Sequence, residues 1–251
     1  MYHLLSSTRL DSSLLSFQWN NDQDGPSPFF LLPYHYDRLV DAAKQHNWDK
    51  VNLSYQSLKL ACTEAANSHH TLDENPTSFR IRITLSQNGD ISVSATPLPS
   101  FSSDPAAACS FNPLSGASYE GALVSLAVDS EATPSTIFTT TKTTQRTLYD
   151  QARARAGIPA ISPTSDVLLF NEDGLITESS ICNVAFYRSS KWITPATSTG
   201  CLPGVLRRYL LSKSYIHEDT EHTLRRDAIK DGEWVLLFNG VQGCRLAKVT
   251  L

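Results

Sequence analysis

The sequence is short of several things, and each shortage argues against a class of function. No stretch of its 251 residues approaches the ~20 consecutive apolar residues that a membrane helix needs. The opening Met1-Tyr2-His3-Leu4-Leu5-Ser6-Ser7 has neither the charged start nor the long apolar stretch of a secretory signal, so a cytoplasmic protein is expected. Lys and Arg do not cluster on any element and the net charge is −4, which gives no electrostatic case for nucleic acid. Cys62, Cys109, Cys182, Cys201 and Cys244 are odd in number and widely spaced, without a C-x-x-C. That argues for reduced thiols and against a disulfide framework or a zinc site. His69-His70 are neighbours in a polar stretch with no further ligands, and no metal is expected there. The signatures G-x-S-x-G, H-E-x-x-H, G-x-G-x-x-G and the P-loop are all missing. What remains is an ordinary soluble composition, 41% hydrophobic and 18% charged. It is enough for one large domain or two small ones with real cores.

The pattern along the chain mixes helix and strand. Pro33 to Trp48 reads as a helix, with Leu39, Ala42, Ala43 and His46 at three- and four-residue steps. Residues 62–78 are polar and unpatterned and read as a loop. Phe79 to Leu85 alternates apolar and polar, Asn88-Gly89 turns the chain, and Ile91, Val93 and Ala95 continue the alternation on a return strand. A long Pro-, Ser- and Ala-rich connection over 97–118 precedes a strand near Ala122–Val128, and 129–138 reads as a linker. Beyond it come a helix from Thr144 to Ala156, closed by Gly157, and short strands at Asp166–Phe170, Leu175–Glu178, Asn183–Tyr187 and Lys191–Thr194. A helix led by Pro203 runs to about Lys213, and a last strand covers Trp234–Phe238. The division expected is an N-terminal α/β domain over 1–130 and a strand-rich C-terminal domain over 131–251, with no internal repeat.

Three local arrangements carry chemistry. Lys142 stands in Thr140-Thr141-Lys142-Thr143-Thr144-Gln145-Arg146. Glu178 ends a strand before Ser179-Ser180-Ile181-Cys182-Asn183. Leu202-Pro203-Gly204-Val205-Leu206 opens a helix, and a helix start presents backbone N–H donors to an anion. An amine, a carboxylate and a Pro-Gly helix start in this order resemble the class IV (fold type IV) pyridoxal-phosphate enzymes. That family includes branched-chain and D-amino acid aminotransferases and 4-amino-4-deoxychorismate lyase.

The resemblance implies a two-domain α/β (α+β) fold, an N-terminal α/β sandwich half with a C-terminal pseudo-barrel half. It also implies pyridoxal 5'-phosphate as cofactor, a small-molecule substrate and a homodimer. In it Lys142 is the Schiff-base amine and catalytic residue, and Glu178 holds the cofactor's ring nitrogen protonated. Val205 and Leu206 receive the phosphate. Arg38, in His35-Tyr36-Asp37-Arg38-Leu39, matches the family's His-x-x-Arg-Leu, whose arginine grips the phosphate bidentately. Asn239 and Gly240 correspond to the last cofactor-side loop. His35 is expected to orient its helix start, and Asn183 to hold the turn after Glu178. The chain departs from the pattern at Ser179, where glycine is usual, and at Leu206 and Gly240, where hydroxyl residues are usual.

Three features resemble fungal aminodeoxychorismate lyase-like members in particular. They are Lys142-x-x-x-Arg146, the opening Leu4-Leu5-Ser6-Ser7-Thr8-Arg9-Leu10-Asp11, and Pro33-Tyr34-His35-x-Asp37-Arg38 followed by Ala42-Ala43 and Trp48. The expected reaction converts 4-amino-4-deoxychorismate to 4-aminobenzoate and pyruvate, a step toward folate, with Arg9 and Arg146 as candidates for the substrate's carboxylates. A class IV aminotransferase is the alternative, and a weakly active homologue a third.

Overall fold

A computed structural model describes residues 2–68, 77–116, 118–160 and 162–251. Two compact units emerge, one of Met1–Asp104 with Thr141–Gln145, the other of Pro105–Thr140 with Arg146–Leu251. The His69-His70 pair lies outside the described residues.

The first unit is a three-stranded antiparallel sheet in the order β1 (Leu4–Asp11), β2 (Ser78–Leu85) and β3 (Ile91–Pro97). Gly89 makes the β2–β3 turn at φ +92°, a conformation that favours glycine. The alternation in β2 sends Phe79, Ile81, Ile83 and Leu85 to one face, where all four are buried. Two helices share that core, α1 (Leu32–Gln45) through Leu39, Ala42 and Ala43, and α2 (Tyr55–Asn67) through Leu58, Cys62 and Ala66. The loop expected from residue 62 is therefore helical as far as Asn67. Ser54 and Ser57 form a capping box at its start. The i, i+4 spacing of Leu58, Cys62 and Ala66 gives the helix its buried stripe. The entry to α1 is clasped by Asn20, whose Oδ1 accepts from Leu31 N–H at 2.9 Å and whose Nδ2 donates to Ser27 and Phe29 carbonyls.

The second unit is a curled eight-stranded mixed sheet. Its strands are β4 (Val124–Val128), β5 (Ser165–Phe170), β6 (Ile176–Ser179), β7 (Asn183–Arg188), β8 (Lys191–Pro195), β9 (His217–Asp219), β10 (Trp234–Asn239) and β11 (Gly243–Thr250). They lie in the order β6-β5-β4-β11-β10-β7-β8-β9. β10 is not the last strand, as the pattern had suggested. Asn239 turns the chain into β11, which pairs with it antiparallel and with β4 parallel. Helices α3 (Ile137–Thr140), α4 (Thr147–Arg155) and α5 (Val205–Ser212) complete this unit. α5 begins two residues later than expected, with Gly204 rather than Pro203 at its border.

One face of the sheet buries Leu126, Leu168, Phe170, Ile176, Val184 and Phe186. On the other, α4 sets Tyr149 and Ala152 against Val167 and Leu169. β5 is thus apolar on both sides, the composition of a covered strand. Among the described residues no helix is long and apolar enough to cross a membrane.

Candidate active site

In the first unit the chain around Lys142 runs beside the start of β1. Lys142 C=O accepts from Leu5 N–H at 2.8 Å, and Thr144 N–H donates to His3 C=O at 2.9 Å. His3 N–H in turn donates to Thr144 Oγ1 at 3.0 Å. Thr141 is buried, its Oγ1 2.8 Å from His46 Nε2. These bonds fix the backbone on both sides of the amine and leave the Lys142 side chain half-buried.

Arg38 is also held in this unit, only 8% exposed, with Nη2 donating to Ser6 Oγ at 2.7 Å. Ser6 Oγ lies 2.8 Å from His35 Nδ1. Burial, then the charges of Arg38 and Lys142, push the His35 imidazole pKa well below its usual 6.5. Two of the sequence-predicted residues, Arg38 and Lys142, are therefore close enough to act on the same histidine.

Arg9 lies elsewhere in that unit. It is 5% exposed, pairs with Asp11 at 2.9 Å, donates to Pro99 C=O and stacks over Phe101 at 3.8 Å. Its guanidinium is consumed in holding β1 to the 99–101 segment.

In the second unit the register of β6 slips against β5 between Leu168 and Phe170. Such irregularities re-aim side chains, and here Glu178 meets α4. Its Oε1 accepts from Tyr149 Oη at 2.8 Å. Tyr149 did not stand out in the sequence, although it falls three residues after Arg146 and so on the same helical side. Burial first, and then Glu178, raise the phenol pKa and keep it a neutral donor. Arg146 stacks on the Tyr149 ring at 4.9 Å and donates to Ser180 C=O at 2.7 Å. Arg146, Tyr149 and Glu178 thus form one assembly.

The turn after Glu178 explains how serine replaces glycine there. Ser179 Oγ donates to Asp166 Oδ2 at 2.7 Å and accepts from Cys182 N–H at 3.0 Å. Ser180 Oγ reaches Asp166 Oδ1 at 2.5 Å, and Arg153 pairs with that carboxylate at 3.2 Å. The hydroxyl supplies an anchor in place of backbone freedom. Asn183 is not the residue that holds this turn, as had been expected. Its Nδ2 donates to Leu202 C=O at 2.8 Å and ties β7 to the loop before α5.

That loop ends in Gly204, where an added Cβ would lie 1.9 Å from Asn183 Oδ1, so a larger residue would have to push Asn183 aside. Gly204 gives α5 no side-chain cap, which leaves the first N–H groups of the helix, including those of Val205 and Leu206, as anion donors. The Leu206 side chain is buried, so only its N–H is on offer. The Cys201 thiol just before this loop is pushed up to about 11, by burial first and with the Glu178 charge adding to it.

Asn239 closes the β10–β11 turn, accepting from Val241 and Gln242 N–H at 2.9 and 2.8 Å. Its Nδ2 donates to Ile181 C=O and Cys182 Sγ, at 3.4 and 3.1 Å. Glu178, Arg146, the α5 start and Asn239–Gly240 therefore gather around the 178–183 turn. Asp166 and Arg153, which lie under it, carried no signal in the sequence beyond being charged residues at the ends of apolar elements.

The Amino-transferase class IV family matches residues 18–248. The chain belongs to the class IV aminotransferase family. A Schizosaccharomyces pombe protein named "Putative aminodeoxychorismate lyase" is 35% identical over 84% of this chain and 80% of its own length. The Saccharomyces cerevisiae "Aminodeoxychorismate lyase" is 31% identical over 86% of this chain and 66% of its own length. Among solved structures, the branched-chain amino acid aminotransferase from Escherichia coli covers 98% of this chain and 76% of its own, at a TM-score of 0.62 and 17% identity. That likeness gives the class IV fold, and nothing finer.

Proposed function

We propose that this class IV chain is a pyridoxal-phosphate-dependent lyase converting 4-amino-4-deoxychorismate to 4-aminobenzoate and pyruvate. The observation that carries this is the shared lyase name of its two fungal relatives, at 35% and 31% identity.

The donor set fits the cofactor. Lys142 supplies an amine, Arg38 a buried guanidinium, Val205 and Leu206 uncapped helix N–H groups, and Glu178 a buried carboxylate steered by Tyr149. Arg38 and the α5 N–H groups would hold the phosphate, Lys142 the aldehyde end and Glu178 the ring nitrogen. Asn239 would brace the turn behind Glu178, and Gly240 would lie on the phosphate side.

Bound pyridoxal phosphate draws in the electrons left on a substrate carbon that loses its proton. Lys142, as a neutral amine, removes that proton from the carbon bearing nitrogen. Glu178 holds a proton at the ring nitrogen, stabilised by its opposite charge. Breaking the enolpyruvyl C–O bond would then release enolpyruvate, which becomes pyruvate on taking up a proton, the one Lys142 removed being at hand, and aromatisation would drive the step. Of the two arginines considered for substrate carboxylates, Arg146 is favoured, being half-buried beside Glu178. Arg9 already has Asp11 as its partner. The reading carries with it a homodimer, common in the family, and a cytoplasmic setting, in keeping with five free cysteines.

The aminotransferase reading is favoured by the description of the matching family. The two separate when purified protein is given 4-amino-4-deoxychorismate and no keto acid. The lyase releases pyruvate. No pyruvate in that assay, with amino transfer once an amino acid and 2-oxoglutarate are supplied in a second one, would establish the aminotransferase instead.

A further inference from the structure

His35 is fully buried, yet its Nε2 has no hydrogen-bond partner among the described residues. Its protonation follows from its neighbours. Arg38 can only donate, so Ser6 Oγ accepts from Arg38 Nη2. Ser6 is buried and His35 Nδ1, 2.8 Å away, is the one acceptor its hydroxyl proton meets among the described residues, so we assign that proton to Nδ1. With Nδ1 accepting and the ring neutral, the imidazole proton is on Nε2. An N–H donor buried without an acceptor costs more than an ordinary hydrogen bond returns, so its retention implies an acceptor that comes with a ligand. Both charges acting on the ring are positive, those of Arg38 and Lys142, which marks that acceptor as an anion.

We propose that His35 is itself a ligand-binding residue, its Nε2–H donating to a phosphate oxygen of the same anion that Arg38 grips, with Ser6 setting both donors. This rests on the cofactor reading for Arg38 and assigns a second side chain to the phosphate. An uncharged donor suits the position. It adds a hydrogen bond without a further positive charge beside Lys142, whose amine has to remain neutral to take a proton.

The test uses full-length, cofactor-free protein titrated with pyridoxal phosphate, inorganic phosphate and pyridoxal, followed by tryptophan fluorescence. His35→Met should weaken pyridoxal phosphate and phosphate about tenfold and leave pyridoxal unchanged. His35→Gln, whose amide nitrogen can stand near the Nε2 position, should recover most of that loss. Nitrogen-15 NMR of the wild-type ring should show a neutral imidazole with its proton on Nε2. Unchanged phosphate affinity in His35→Met, an equal loss for pyridoxal, or a proton on Nδ1 would each overturn the proposal. If pyridoxal phosphate binds and His35→Met changes nothing, the cofactor reading survives without it. If phosphate binding depends on His35 while pyridoxal phosphate is not taken up, the cofactor reading falls and the anion site stands.

Discussion

Glu178 shows how much one side chain depends on its surroundings. A carboxylate 6% exposed is costly to keep in place without donors, and Tyr149 provides one at 2.8 Å. Glu178→Gln keeps the shape and removes the charge. It should leave the cofactor attached at Lys142 while turnover drops about 10²–10³-fold, the scale of losing one preorganised electrostatic contact. Steady-state kinetics beside the visible spectrum checks this, and unchanged turnover would remove Glu178 from its assigned role. Lys142 and Glu178 could be proposed as a pair from the sequence because the chemistry demands those residue types in that order. Tyr149 was not legible, since a tyrosine in a helix looks the same whether it fills a core or orients an acid.

At the scale of elements, the strands that alternate were readable and those that carry polar anchors were less so. β2 and β3 announce themselves through Phe79 to Leu85 and Ile91 to Ala95, whereas β11, in Gly-Cys-Arg-Leu-Ala-Lys-Val-Thr, hides its buried Leu246 and Val249 among charges. α2 was read as loop from Cys62 because its polar face outweighs a stripe of three residues. The β5–β6 corner rests on Asp166, which is fully buried and paired with Arg153. Asp166→Ala strands that arginine and frees Ser179 and Ser180, so a loss of about 3–5 kcal/mol is expected in urea unfolding. A loss under ~1 kcal/mol would show the corner to be held by packing alone. Gly204→Ala should drive Asn183 off Leu202 and weaken cofactor binding at least tenfold while the urea midpoint moves little.

The acid response of β1 follows from Asp11. Burial pulls its carboxyl upward, but donors from Phe101, Ser13 and Arg9 outweigh that and leave it below 3.8. A group lowered on folding stabilises above its unfolded value and loses that contribution as pH falls through the folded one. Asp11→Asn should therefore be less stable than wild type above about pH 4, with the gap narrowing below it. A gap independent of pH would contradict this.

For the whole molecule, composition narrowed the class and motif order named the family, which matches residues 18–248. The division into units was less visible. The segment 141–145 that carries Lys142 belongs with the β1–β3 unit, because main-chain bonds to His3 and Leu5 place it there. Pairing between residues so far apart in sequence leaves no local trace. The choice between lyase and aminotransferase is likewise outside what a shared fold decides, and the pyruvate assay addresses it at this level.

Whether Lys142 carries the cofactor is open to one direct measurement. Protein incubated with pyridoxal phosphate is reduced with borohydride, digested and mapped by mass spectrometry. A pyridoxyl phosphate mass is expected on the peptide containing Lys142, and its disappearance in Lys142→Ala. A label on another lysine, or none in protein saturated with pyridoxal phosphate, would contradict it.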